Sequence, residues 1–596
     1  MDAEALIEQL ARRDVRLGRR GEKLVCDAPR GALTPALREE IRRLKPELLA
    51  LLAAREHAAR EPTLSRSQRR IAALSELLPG YNAAGNIPLG IRLVGALDEG
   101  ALAGALQAIV ARHEVFRAAI GDGPGRRPAL RDSVNLHIET HDLRGEDARA
   151  RRARIDALVA APFDLREAPL LRVALLRIGD HERLLVIVTH VMVFDGRSTP
   201  IFLDELATHY RAALAGRDAN LPAPGRYSEY AREQRSRLSE GALAQQRAGW
   251  REALAGTQLV TGLVARRPES AVPVPHTLGC AKIELELPTF LADSARACAR
   301  ALGATLFHTL LAAYQVLFHR YTLQPSVAIG TIVSSRRGVA SERMIGSFAN
   351  NILIRGDFAA ETRFADLVRQ VRTFAQGTLA RQELPFEQLL MQLDAPLRRL
   401  PLFRVMFVLH QLPPEHGGLN LPGVSASLVH VPKLASNHVL NLVLSDRDGR
   451  ISGALEYNTQ LVARETAGAL IERYQQVLRR VCDDPDAPLA ALPRYVDPAA
   501  TAWAQDPQRS GCERRAPEWG ADAAAIVEAW ERALDVQGAA PADDFFAVGG
   551  HSLLALSLLS SLERRFAVSG LLDRFRNRPT LATLIEAVAA RRRAAR

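Results

Sequence analysis

Val188-Thr189-His190-Val191-Met192-Val193-Phe194-Asp195-Gly196 decides how the rest of the chain is read. The stretch follows an apolar run from Leu184 to Ile187, continuous enough for a strand buried on both faces, and Gly196 is the residue expected to break it. A histidine and an aspartate five positions apart then stand where a buried strand gives way to a loop. Such strand ends are where rigid scaffolds present chemistry. Taken alone, a histidine on an apolar strand is more often a hydrogen-bonded core residue.

Outward from this strand, 596 residues allow about three to five units of ordinary size, so a multidomain chain is expected. A hydrophobic share of 47% and a charged share of 24% are those of a soluble globular protein. No apolar run approaches the roughly 18 residues that a membrane span needs. Met1-Asp2-Ala3-Glu4 is acidic and no apolar segment with a cleavage site follows, so a cytoplasmic protein without a membrane partner is expected. The five cysteines, Cys26, Cys280, Cys298, Cys482 and Cys512, are scattered and form no CxxC pair, which points to reduced thiols and no metal site. A net charge of +11 raises the question of nucleic acid. The arginines, however, are spread among acids and alanines without aromatic interleaving, so no nucleic-acid partner is expected.

The central stretch resembles the HHxxxDG signature of nonribosomal peptide synthetase condensation domains, with His190 first and Asp195-Gly196 closing it. Val191 stands where that family has its second histidine, the residue placed beside the reacting amine. Further segments of the family follow in order over 63–495. Ser65-Arg66-Ser67-Gln68-Arg69-Arg70 resembles the opening motif, and Arg112-His113-Glu114-Val115-Phe116-Arg117 the second. Arg226-Tyr227-Ser228-Glu229-Tyr230 is a looser match. Ile345-Gly346-Ser347-Phe348-Ala349-Asn350-Asn351 and Arg381-Gln382-Glu383-Leu384-Pro385-Phe386-Glu387 follow the fifth and sixth motifs, and Pro401-Leu402-Phe403-Arg404 is a partial seventh. The resemblance implies a two-lobed, chloramphenicol-acetyltransferase-like α/β domain with a channel between its lobes. It also implies that Arg336, in Gly330-Thr331-Ile332-Val333-Ser334-Ser335-Arg336, pairs with Asp195 in a structural role. In Ser436-Asn437-His438-Val439-Leu440, His438 stands in place of the acid of a KFDL-like strand facing the channel. His438 is either a satisfied core histidine or a base on that wall. His190, Asp195, Gly196 and His438 are thus the candidate catalytic residues, with Val191 and Arg336 as structural members of the site.

Residues 1–58 read as a small α+β unit. Val15 and Leu17 alternate with polar neighbours, as do Leu24 and Cys26, across a turn-forming stretch from Gly18 to Gly21. Thr34-Pro35 opens a helix with Leu37, Ile41, Leu44, Leu48 and Leu52 on one face and a kink at Pro46. The pattern looks like the β-hairpin docking domains of megasynthases, which capture the short C-terminal linear tail of an upstream protein. Arg16, Arg19, Arg20 and Lys23 would select an acidic tail. The alternative is a cap on the next domain.

Residues 496–520 are rich in Ala, Pro, Asp, Arg and Gly and read as a linker. A helical-bundle domain follows over 521–596. Asp522 is expected as an N-cap, Leu554, Leu558, Leu562 and Phe566 form a buried stripe, and a third helix is expected from about Leu581. Asp544-Phe545-Phe546-Ala547-Val548-Gly549-Gly550-His551-Ser552-Leu553-Leu554 closely resembles the peptidyl carrier protein motif. Its serine, Ser552, would receive 4'-phosphopantetheine, and a helix N-terminus suits the phosphate.

The resemblances together imply an acyltransferase that forms an amide between an upstream carrier-bound thioester and an amine carried on Ser552, in secondary-metabolite biosynthesis. Too few residues separate the condensation and carrier regions for an adenylation domain. A trans-acting adenylation enzyme and a phosphopantetheinyl transferase are therefore expected partners. The rival expectation is a degenerate condensation domain that serves as a docking and scaffold module, favoured by the missing second histidine.

Overall fold

The computed structural model describes residues 16–20, 23–27, 35–49, 63–77, 81–121, 128–238, 240–257, 279–390, 405–411, 419–436, 438–447, 449–459, 461–495, 521–534, 536–545 and 552–594, with positions 6, 392 and 548. The expected linker 496–520, the partial seventh motif at 401–404 and Gly549-Gly550-His551 lie outside these residues. The chain divides into two compact units, Met1–Thr63 and Leu64–Arg596.

In the first unit β1 (Arg16–Arg20) and β2 (Lys23–Asp27) pair antiparallel, with Leu17 opposite Cys26 and Arg20 opposite Lys23. The ladder runs through Gly18 and Arg19, which composition alone assigns to the turn, and only two residues separate the paired ends. The side chains of Arg16, Arg19, Arg20 and Lys23 lie outside the described residues. A helix then spans Pro35–Arg43, with proline at its first position. It breaks at Leu44 and resumes over 45–49, because Pro46 has no N–H to return to the carbonyl of Arg42. Leu37, Leu44 and Leu48 are buried along one face, and Leu6 is buried with them in the same unit.

The second unit contains two mixed sheets with separate hydrophobic cores. β3 (Asn86–Gly95), β6 (Ile138–Asp142), β7 (Leu171–Arg177), β8 (Glu182–His190) and β13 (Val424–Val429) form the first, in the order β13-β3-β8-β7-β6. β4 (Ala118–Ile120) and β5 (Pro128–Leu130) make a small hairpin beside it. The second sheet holds β9 (Cys280–Glu286), β10 (Ser326–Ser334), β11 (Ala349–Asp357), β12 (Val405–Gln411), β14 (Leu440–Arg447) and β15 (Arg450–Asn458), in the order β11-β10-β12-β14-β15-β9.

The strand expected around Leu184 is β8, buried from Leu184 to His190 because β3 and β7 flank it and helices cover it. It ends at His190, not at Gly196: the chain turns there, with the Val193 N–H donating to the His190 carbonyl at 2.9 Å. The lobes are joined by β13, which belongs to the second lobe in sequence but pairs with β3 of the first, Val424 opposite Gly95. Val431 and Leu434 still pack on the first core, after which Ala435 bridges to Gly279.

The C-terminal region is a bundle of helices Ala521–Leu534, Ser552–Phe566, Leu571–Asn577 and Leu581–Ala594 around Trp530, Phe545 and Phe575. Leu554, Leu558 and Leu562 are buried as the stripe predicts. Asp522 lies in the first turn rather than at the cap, where it still complements the helix dipole. The short helix Leu571–Asn577 was not expected; it opens after Gly570, whose φ of 75° is a left-handed conformation that glycine adopts without strain.

Among the described residues no single helix is long and apolar enough to cross a membrane.

Candidate functional site

His190, the last residue of β8, has no exposed surface. Its Nε2 lies 3.1 Å from the Asn82 carbonyl, and Nδ1 accepts the Met192 N–H at 3.3 Å. Those partners fix the tautomer, since a carbonyl needs a donor at Nε2 and an N–H needs a lone pair at Nδ1. Burial lowers the pKa to about 4, outweighing the Asn82 bond that raises it; the Lys433 charge lowers it further. The neutral ring thus holds the turn that carries Val191 to Val193. Gly85 makes room for it, because a Cβ there would sit 2.4 Å from Nε2. Val191 is half-buried against the first lobe's core, with its N–H on the Gly85 carbonyl at 2.8 Å.

Asp195 sits between the lobes' signature segments as an acceptor with every described contact satisfied. Its Oδ1 accepts from the Ser198 N–H at 2.9 Å, the Ser198 hydroxyl at 2.8 Å and Arg336 Nη2 at 3.1 Å. Oδ2 accepts from the Phe348 N–H at 3.1 Å. Arg336, with its side chain 2% exposed, also donates to the carbonyls of Ser341 and Met344 and lies 4.0 Å over the Phe348 ring. A carboxylate so committed is a cross-lobe staple rather than a free base.

The remaining sequence motifs converge on this staple. Gln68 donates to the Met192 carbonyl at 3.2 Å, so the opening motif holds the signature turn from behind. Tyr227 donates to the Ser347 carbonyl at 2.6 Å and accepts from the Ser65 hydroxyl at 2.9 Å, and its ring packs on Phe348. Glu114 accepts from the Ser228 N–H at 2.8 Å, His113 lies 2.8 Å from Glu205, and Asn350 donates to the carbonyls of Gln382 and Leu384. His308, not singled out in sequence, closes a capping box with Thr305.

His438 is half-buried just before β14, its N–H on the Ser436 hydroxyl at 3.2 Å. A different histidine lies against the signature loop. A Cβ built on Gly196 would meet His410 Cε1 at 3.3 Å, so His410, from β12 of the second lobe, packs on the last signature residue. Sequence reasoning passes over it. The available signal is alternation: Val405, Phe407 and Leu409 face the second core, which turns Met406, Val408 and His410 to the opposite face of the sheet.

The helix Arg66–Leu77 also receives the C-terminal bundle. Leu74 and Leu77 share one buried cluster with Trp530, Leu554 and Leu558, and helices Ser552–Phe566 and Leu571–Asn577 contact it. At the other end of the same helix, Arg66, Ser67 and Arg70 line a narrow cavity with Tyr230, Phe348 and Asn350; its 20 Å³ has room for about one water molecule. Among the described residues no cluster of three His, Cys, Asp or Glu side chains could hold a metal.

Three family models match the chain in order: the TubC N-terminal docking domain over residues 4–53, the condensation domain over 58–499 and the phosphopantetheine attachment site over 524–588. A linear gramicidin synthase protein of Brevibacillus parabrevis is 34% identical over 443 residues, 72% of this chain and 8% of that protein. Phosphinothricin tripeptide synthetase of Streptomyces viridochromogenes is 35% identical over 481 residues, 77% of this chain and 44% of that protein. The chain therefore spans less than half the length of either relative. Among solved structures, the X-domain in complex with OxyB from teicoplanin biosynthesis aligns with a TM-score of 0.62 at 25% identity, over 74% of this chain and 97% of that one. The chain belongs to the condensation-domain family of nonribosomal peptide synthetases, flanked by an N-terminal docking domain and a C-terminal carrier domain that bears 4'-phosphopantetheine on a serine.

Proposed function

We propose that the chain joins an upstream carrier-bound acyl or peptidyl thioester to an amine acceptor held on Ser552 and loaded in trans, in nonribosomal peptide or hybrid peptide-polyketide synthesis. The packing of the carrier on helix Arg66–Leu77 carries this reading. One helix supports the carrier at its C-terminal end and the signature turn, through Gln68, near its start. Ser552 is the first residue of a fifteen-residue helix, where the helix dipole suits a phosphodiester. When bound, pantetheine supplies the thioester that carries the acceptor. The cavity beside Arg66 and Arg70 is too narrow for such an arm, so admitting one requires its walls to part.

Bond formation needs the amine nitrogen to attack the donor carbonyl carbon, the C–S bond to break and the amine proton to reach the departing thiol. Holding two reactants in line is worth effective molarities of about 10⁵ to 10⁸ M, against about 10² to 10⁴ for a general base. A domain with Val191 in the second signature position therefore retains most of the available rate by positioning. His190 acts through the turn it holds, and Asp195, Gly196 and Arg336 act through the lobe junction. The docking unit would supply the donor by adding an acidic tail to its hairpin, and the loading enzyme and phosphopantetheinyl transferase act on the carrier from outside.

A second reading, a scaffold that presents the carrier without catalysis, is favoured by Val191 and by likeness to the X-domain solved in complex with OxyB. Intact mass after coenzyme A and a phosphopantetheinyl transferase should show one added arm, lost in Ser552→Ala; modification elsewhere would sink the carrier role. Product from loaded carriers above the same carriers without this domain supports catalysis, and none supports the scaffold.

A further inference from the structure

On the face of the second sheet turned away from its core, β12, β14 and β15 present two cross-strand rows. Met406 is paired with Asn441 and Asn441 with Glu456; further along, His410 is paired with Ser445 and Ser445 with Ser452. Asn441 donates to Glu456 at 2.9 Å, which holds that carboxylate against β14, the strand between β15 and the β12 that bears His410. From the other lobe Gly196 lies against His410: a Cβ built there would stand 3.3 Å from Cε1, so the ring would have to give by a few tenths of an ångström to admit one. His410 is nevertheless accessible to solvent, although enough protein surrounds it for desolvation to lower its pKa, with Glu456 opposing. Exposed, and set against the Gly196 loop of the other lobe, the ring stands where the two lobes meet.

We propose that His410, set beside Gly196 at the lobe junction, is the basic group of the reaction centre and fills the role that Val191 leaves open. This rests on the condensation reading above. As the amine nitrogen bonds to the donor carbonyl carbon, His410 takes the N–H proton on a ring nitrogen. As the C–S bond breaks, it returns that proton to the pantetheine sulfur, leaving amide, thiol and neutral imidazole. The charged groups around it are Glu456 on β15 and, flanking Gly196, Asp195 and Arg197. Asp195 is committed to Arg336 and Arg197 to Glu342, so neither competes for that proton. His438 lies on the chain leading into β14, a separate segment of the same lobe.

The test uses full-length protein whose carrier is loaded by a phosphopantetheinyl transferase from a panel of aminoacyl-coenzyme A thioesters. Acetyl- and octanoyl-N-acetylcysteamine serve as donors, and product is followed by mass spectrometry in a single turnover. His410→Gln should slow transfer by about 10² to 10⁴-fold at an unchanged melting temperature, and abolish the acidic limb of the pH–rate profile. Added imidazole should restore part of the rate to His410→Ala, which no structural role explains. Transfer by His410→Gln within about twofold of the parent overturns the assignment alone, as does a loss confined to His438→Ala. No product from the parent protein overturns the condensation reading and this inference with it.

Discussion

Acidification should weaken the second unit through His190, and the size follows from its surroundings. The folded ring has no exposed surface and its pKa is held down to about 4 by burial, whereas an imidazole in the unfolded chain titrates near 6.5. Below about pH 6.5 the unfolded chain gains a proton that the folded one refuses, so stability is fully present above that pH and falls until the folded ring titrates near 4. Integrated from about pH 7.5 to about pH 5, the loss is about 2 kcal/mol, and about 3 kcal/mol over the whole window. Protonation would also set a new N–H at Nδ1 against the Met192 N–H that this nitrogen accepts. Urea unfolding of the full-length protein at both pH values, set against His190→Gln, isolates the contribution, because the amide still reaches toward the Asn82 carbonyl but does not titrate. Hydrogen exchange in the peptide spanning 184–197 reads the same effect locally. Equal pH dependence in the two proteins would refute the reasoning.

Gly85→Ala should cost about 1–3 kcal/mol in unfolding free energy, since its Cβ would meet His190 Nε2 at 2.4 Å and the ring is pinned at both nitrogens. An unchanged melting temperature would show that the β8 end relaxes freely. Arg336→Leu, which strands the Asp195 carboxylate at 6% exposure, should cost about 3–5 kcal/mol, and a cycle with Asp195→Leu should show strong coupling; additive losses would mean the staple is incidental. Reversing charge at Arg19 and Arg20 should weaken capture of an acidic tail peptide, as added salt should in the parent; affinity indifferent to both would remove electrostatics from docking.

What can be read from the chain is whatever is written in consecutive residues. The β8 run, the Leu554, Leu558 and Leu562 stripe and the break ahead of Pro46 are local patterns, and each has its element. Contacts that the fold makes across long separations are legible only through resemblance, as with Asp195 and Arg336, which no periodicity would pair. Turn composition misleads at Gly18 to Arg20 because ladder bonds outweigh the preference of glycine for turns once a partner strand is present. His410 escapes notice for a related reason. Its neighbours Val405 to Leu409 are apolar on both faces, so the run advertises burial and hides its alternation. Only the register against β14, and the lobe that brings Gly196 to the other side, separates the core face from the face that meets the other lobe. His438 draws attention instead, because it stands in a motif and so is conspicuous in sequence. Proximity to the signature loop is a property of strand order, and β12 lies between β10, which leads to Arg336, and β14. A histidine at the end of that central strand is carried to the lobe junction by the same topology that places Arg336 there.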